Sequence, residues 1–218
     1  MMRASSLRWR TPMAALAVSM LLVGCTDATA SSRASSATTI PPTTTTTIPA
    51  IELPLPPGDN SVYILGDSVI LGTQYVIDQV LAGWRVTLDG RVSRRMDQGL
   101  DVVASKGGNL GRVVVVHLCT NWFGGDYAAA AEQLISMLHG VDRIVWSTCV
   151  PWVGEINEAN DAIRALASRH PNLAVIDWAA IAGTPGYTAG DGLHLQGQGQ
   201  YALAELVAGA IGPAPPPA

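Results

Sequence analysis

The chain of 218 residues holds a single lysine, Lys106, and only 14 % charged residues, with a net charge of −4. A nucleic-acid binder needs a basic face to neutralise phosphates, and this composition offers none. It also lacks a polybasic cluster that could hold anionic lipid. Cysteine is scarce. Cys25, Cys119 and Cys149 are too few for a disulfide-built scaffold and fit no zinc-ligand spacing, and no metal or cofactor is expected. Long apolar runs are missing as well. The run from Met13 to Val23 has eleven residues, too short to cross a hydrocarbon layer of roughly 30 Å as a helix. No internal repeat occurs at solenoid periods. Hydrophobic residues still make up 48 % of the chain, which excludes wholesale disorder.

The N-terminus reads as an export signal. Arg3, Arg8 and Arg10 precede the short apolar run, which stops at Gly24-Cys25. The ending Leu22-Val23-Gly24-Cys25 resembles the lipobox of bacterial lipoproteins. That resemblance implies removal of residues 1–24, lipidation of Cys25, and an extracytoplasmic domain anchored to the cell membrane, or a secreted one if Cys25 is incidental. Removal takes away three arginines and no acid, which moves the net charge from −4 to −7. Residues 25–57 follow as a Thr/Ser/Pro-rich linker with an uninterrupted run from Thr43 to Thr47. Such a segment cannot bury enough apolar surface to offset its ordering entropy and reads as an extended spacer. A second Pro-rich stretch, 212–218, reads as a frayed tail.

Between them, 58–211 alternates strand and helix. Short apolar runs at Val62–Leu65, Arg85–Leu88, Arg112–Leu118, Arg143–Val150 and Leu173–Ile176 read as strands. Four consecutive valines in the third predict a central strand covered on both faces. Helices are predicted from Ser68 to about Leu81 and over Arg95–Ser105, Ala128–Leu138, Ile156–Arg169 and Gln198–Ile211. The pattern implies an α/β fold: a three-layer, doubly wound, five-stranded parallel sheet. In such sheets the ligand crevice lies at the carboxyl ends of the strands.

Three polar groups fall at those ends or in a late loop. Gly66-Asp67-Ser68 follows the first strand, where a helix start offers free N–H groups to a developing oxyanion; an N-cap role for Asp67 or Ser68 is the plain alternative. Thr120-Asn121 follows the valine strand, and its amide is either an oxyanion donor or a turn former. Asp191-Gly192-Leu193-His194 precedes the last helix, with a carboxylate placed to fix an imidazole tautomer.

Taken in this order, the three segments resemble the SGNH hydrolases, also called GDSL esterases, over Asn60–Ile211. The resemblance implies Ser68 as nucleophile, His194 as general base and Asp191 as its orienting carboxylate. It implies the Ser68 N–H and Asn121 as oxyanion donors. The second family block supplies a further backbone N–H, assigned here to Ser93 in Arg91-Val92-Ser93-Arg94, with Gly90 as the alternative. The third block departs from Gly-x-Asn-Asp and reads Cys119-Thr120-Asn121-Trp122. Within the family the chain is most similar to the extracytoplasmic domains of peptidoglycan O-acetyltransferases, through Val116–Asn121, Val150-Pro151-Trp152 with Asn157 downstream, and Ile176-Asp177-Trp178. That implies an acyl-serine enzyme, an esterase or O-acetyltransferase acting on acetylated carbohydrate or peptidoglycan, with a separate membrane protein supplying acyl groups if transfer is the reaction. The competing readings are a catalytically idle glycan-binding or scaffold module and a lipase or thioesterase.

Cys119 and Cys149 fall at the ends of strands placed side by side, at a separation suited to a disulfide or to two buried thiols. Trp122, Phe123 and Trp152 line either a sugar cleft or the core. Arg94 and Arg95 either bind a carboxylate or are solvated. His117 reads as a core or supporting residue.

Overall fold

The computed structural model describes residues 55–216. The expected signal peptide, Cys25 and the linker up to residue 54 lie outside the described residues. Five parallel strands form one sheet: β1 (Ser61–Gly66), β2 (Arg85–Gly90), β3 (Val113–His117), β4 (Arg143–Ser147) and β5 (Leu173–Ile176). Their order is β2-β1-β3-β4-β5. The doubly wound sheet expected from the alternating pattern is the one that forms.

The valine strand shows why. Every residue of β3 is buried. Val114 and Val116 pack with Met96, Val103, Leu134 and Ile163. These come from α3 (Met96–Ser105), α4 (Tyr127–Met137) and α5 (Gly154–Leu166). Val113 and Val115 point the other way, toward Ile70, Ile77, Leu203 and Val207. Those belong to α1 (Ser68–Leu71), α2 (Ile77–Val80) and α7 (Gln198–Ile211). The two-residue period of a strand thus feeds two cores, each fully buried Val contributing about 1.5–3 kcal/mol.

Three expectations change. The single helix from Ser68 to Leu81 is two one-turn helices, because Thr73 Oγ donates to the Ile70 carbonyl at 2.7 Å and ends the first turn at Gly72. A short helix, α6 (Trp178–Ile181), was not expected. The C-terminal stretch is not frayed as far as Pro216. Gly58 N–H donates to the Pro216 carbonyl at 3.0 Å, and Trp84 Nε1–H donates to the Gly212 carbonyl at 3.0 Å. Proline lacks a backbone donor but keeps its carbonyl, so a Pro-rich tail docks by accepting. Leu55 is buried too, so the packed unit runs beyond 58–211 at both ends.

The topology decides where a site can form. From β1 the chain crosses to β2 on one side and then returns to β3 on the other. The connections leaving β1 and β3 therefore diverge and open a crevice at their carboxyl ends. Ser68 follows β1, and Asn121 follows β3.

Candidate active site

Gly66 closes β1 against its neighbour. A Cβ there would lie 2.2 Å from Ile70 Cγ2 and 2.7 Å from the His117 carbonyl, so only glycine fits. Asp67 follows and is fully buried. Its carboxylate caps α1 by accepting from Val69 N–H at 2.9 Å, and it lies 3.3 Å from His117 Nδ1. Asp67 N–H donates to the His117 carbonyl at 3.0 Å. The ends of β1 and β3 are thereby stitched together, and His117 is the supporting residue that the sequence suggested. Ser68 then opens α1, where its backbone N–H has no intrahelical acceptor. One helical turn carries little macrodipole, so that local N–H counts for more than a helix field.

Ser68 Oγ lies 3.1 Å from His194 Nε2. His194 Nδ1 lies 2.7 Å from Asp191 Oδ2, and Asp191 Oδ1 accepts from the N–H groups of Leu193 at 2.9 Å and His194 at 3.1 Å. The hydrogen bond from His194, followed by those two backbone donors, holds the Asp191 carboxyl down at about 2. An ionised carboxylate only accepts, so Nδ1 carries the ring proton and Nε2 is left as acceptor for the serine hydroxyl. The relay joins residues 126 positions apart. A local frame brings them together. Thr188 and Leu195 form an isolated antiparallel bridge, and Ala189 N–H donates to the His194 carbonyl at 2.8 Å. Leu195 packs where a side chain on Gly72 would sit, 3.2 Å from that virtual Cβ. The histidine loop thus rests on the end of the helix that begins with the serine.

Around this relay the second block is organised by Arg94. Its buried guanidinium donates to the Gly66 carbonyl at 3.1 Å, to the Asp89 backbone carbonyl, and to the Asp89 carboxylate at 2.6 Å. Of the two readings for this residue, an internal carboxylate is the one realised. Burial would raise the Asp89 carboxyl, but the Tyr63 hydroxyl at 2.5 Å and Arg94 more than offset it and hold it below the usual range. Asn121 Nδ2 donates to the Arg94 carbonyl at 3.2 Å, which ties the third block to the second and leaves one amide hydrogen for a ligand. Arg95 is exposed and pairs with Asp97 at 2.6 Å.

Ser93 is exposed and has φ 57°, the only positive value among non-glycine residues described. Its N–H is present as it would be in glycine, but the side chain carries the left-handed cost of about 1–2 kcal/mol. Ser93→Gly is therefore expected to stabilise the protein by up to about 1 kcal/mol in urea denaturation, since added unfolded-state entropy returns part of the gain. A loss of stability would show that the serine side chain has a role of its own. The alternative donor, Gly90, has a packing reason for being glycine: a Cβ there would meet Leu71 Cβ at 2.7 Å.

Cys119 and Cys149 form a disulfide with a Cα separation of 5.7 Å, so of the two readings the bridge is realised. Asp67, His117 and Cys149 are close enough to suggest a metal site, but the bridged sulfur is no thiolate. Asn160, which the sequence did not single out, clamps Cys149 by accepting from its N–H and donating to its carbonyl, both at 2.8 Å. Asn157, which supported the resemblance, is exposed. A cleft of about 250 Å³ opens beside Asn121, walled also by Arg95, Asp97, Trp122 and Phe123. Trp122 packs edge-on against Tyr127, while Phe123 and Trp152 face outward.

This fold, with serine and asparagine segments after β1 and β3 and a histidine loop between α6 and α7, defines the domain as one with the SGNH/GDSL hydrolase fold. The C-terminal catalytic domain of Streptococcus pneumoniae peptidoglycan O-acetyltransferase A superimposes with a TM-score of 0.57 at 23 % identity, covering 71 % of this chain and 90 % of that one. A lipase/acylhydrolase from Enterococcus faecalis gives 0.53 at 19 % identity, covering 68 % and 93 %. In sequence, the chain is homologous to YrhL of Bacillus subtilis (strain 168), named as a peptidoglycan O-acetyltransferase, with 30 % identity over 162 residues, 71 % of this chain and 24 % of that protein. Staphylococcus aureus O-acetyltransferase OatA matches at 30 % over 154 residues, 68 % of this chain and 24 % of its own. The chain spans about a quarter of the length of these curated relatives. No family model matches it.

Proposed function

We propose that this protein is an SGNH-type serine esterase or O-acyltransferase acting through an acyl-serine on small acyl esters, acetyl above all, of cell-envelope carbohydrate. The observation that carries the reading is the ordered contact of Ser68 Oγ, His194 and Asp191. An idle module has no reason to keep a hydroxyl at 3.1 Å from an imidazole whose other nitrogen sits on a carboxylate.

The chemistry follows from the geometry. Ser68 Oγ attacks the ester carbonyl carbon as its proton passes to His194 Nε2. The new oxyanion takes hydrogen bonds from the Ser68 and Ser93 N–H groups and from Asn121 Nδ2. The tetrahedral intermediate collapses, the C–O bond to the sugar breaks, and the leaving oxygen takes the proton from His194. Water or a sugar hydroxyl then attacks the acyl-serine, losing its proton to His194, and as the acyl C–Oγ bond breaks His194 returns that proton to Ser68 Oγ, restoring the free hydroxyl. Peptidoglycan as substrate is supported by the names of the two curated relatives. Incubating the full chain with an O-acetylated oligosaccharide, with and without an unacetylated acceptor, tests it. Free acetate or acetylated acceptor is expected; neither product would overturn the reading.

The pH dependence has a defined sign. Base catalysis needs a neutral imidazole, so kcat/KM rises with pH along the acid limb. With its carboxyl held down at about 2, Asp191 stays ionised throughout that limb, which therefore reports one proton only. A two-proton limb between pH 4 and 7 would contradict this assignment.

The domain acts outside the cytoplasm, held to the membrane by lipid at Cys25. Among the described residues no helix is long and apolar enough to cross a membrane. If transfer is the reaction, a separate membrane protein supplies acyl groups. Cys25→Ser is expected to move the protein from the membrane to the soluble fraction; unchanged membrane partition would overturn lipidation at this site.

A further inference from the structure

We infer that Phe123 and Trp152 form a stacking shelf for a pyranose ring of the glycan that carries the reacting ester, an inference that rests on the carbohydrate reading above. Large apolar side chains are expected to be covered in a soluble domain, yet Phe123 is 63 % exposed and Trp152 48 %. They are held, not loose. Their rings meet edge to face, centroids 5.9 Å apart and planes at 85°. Trp152 Nε1–H donates to the Thr120 carbonyl at 2.9 Å, so the indole's one polar group is satisfied within the protein. Its outward surface is left apolar.

The bases of the two loops are fastened as well. Cys119 lies one residue before Thr120 and Cys149 three before Trp152, and their disulfide joins the loops at the root. Asn160 fixes the Cys149 backbone from below with its paired hydrogen bonds. A rigid pair of aromatic rings binds with little ordering entropy to lose.

Two features select a sugar. A pyranose presents C–H groups on a ring face, which bury against the face of one ring of the pair while the perpendicular ring borders its side, and hydroxyls around its rim. Phe123 is shared between the shelf and the cleft that holds Asn121. The cleft's other polar wall is Arg95 paired with Asp97, a neutral set of donors and acceptors suited to hydroxyl and amide groups. At about 250 Å³ the cleft is smaller than the ~300–1,000 Å³ common for drug-sized ligands, so it takes one ring while the neighbouring ring lies over the shelf.

The experiment uses the full chain and an O-acetylated oligosaccharide of β-1,4-linked N-acetylglucosamine beside 4-nitrophenyl acetate. The ratio of kcat/KM for the two substrates is expected to fall about tenfold or more in Phe123→Ala and in Trp152→Ala, and to return near wild type in Phe123→Trp. An unchanged ratio in both alanine variants overturns the shelf. A separate arm needs no turnover: Ser68→Ala is titrated with the unacetylated oligosaccharide, alone and combined with Phe123→Ala. Affinity is expected to drop about tenfold in the combined variant, and equal affinities overturn the shelf. Should wild type turn over neither ester while this second arm succeeds, the acyl-serine reading fails and the shelf stands. Binding to phosphatidylcholine vesicles that depends on Phe123, with oligosaccharide affinity unaltered, would assign the surface to lipid and overturn the proposal.

Discussion

Ser68→Ala is expected to lower kcat/KM on an acetyl ester by roughly 10⁴-fold or more, and His194→Ala by a similar factor. The two act as one unit, because a hydroxyl without a base to take its proton is a poor nucleophile and a base without that hydroxyl has nothing to activate. The double variant is therefore expected to be no slower than either single one. What remains belongs to the oxyanion donors. Asp191→Asn is expected to cost less than Ser68→Ala but still several hundredfold or more, since an amide donates to Nδ1 and leaves the proton on the wrong ring nitrogen. Thermal unfolding of Ser68→Ala is expected to match wild type. A Ser68→Ala protein that keeps a tenth of the activity would show that the measured hydrolysis arises elsewhere.

Removing the disulfide has the second large expected effect, on stability. Cys119 and Cys149 are 30 residues apart, and closing a loop of that length lowers unfolded-state entropy by the equivalent of about 3–4 kcal/mol. Both residues are fully buried, so paired replacement by alanine is a cleaner test than a reductant. Cys119→Ala/Cys149→Ala is expected to lose about 3–4 kcal/mol in denaturant unfolding. That corresponds to a fall of about 10 °C in Tm for a domain of this size. The loss also loosens the roots of the Asn121 turn and the Trp152 loop, so KM for a glycan substrate should rise. A stability change below about 1 kcal/mol would mean that the bridge adds little to the packing around it.

Much of this was readable in the residues, for identifiable reasons. A run of four valines with strand periodicity could only be covered on both sides, and that placed β3 at the centre. Once the strand ends were located, Ser68 and Asn121 fell to one edge of the sheet, whereas the Asp191–His194 loop follows α6 rather than a strand, and its arrival at that edge was implied by the family resemblance alone. Other features depend on partners distant in sequence or on which way a side chain turns. Arg94 could as well have been solvated; its inward course depends on Asp89 and the Gly66 carbonyl meeting at the ends of β2 and β1. Asn157 and Asn160 lie on one helix three residues apart, and only a known helix orientation tells the buried one from the exposed one. The docked tail needed Trp84 and Gly58 as donors, which composition does not reveal. The break in the first helix, by contrast, was visible in Gly72-Thr73 and was outweighed by the apolar pattern around it.

The account turns on whether the hydroxyl at the start of α1 is activated by the imidazole of the last loop. Treatment of the full chain with a serine-directed fluorophosphonate, followed by peptide mass spectrometry, reads this directly. A single adduct on Ser68, abolished when His194 is replaced by alanine, is the expected result. An unlabelled Ser68 in a folded protein, or labelling indifferent to the loss of His194, would contradict it.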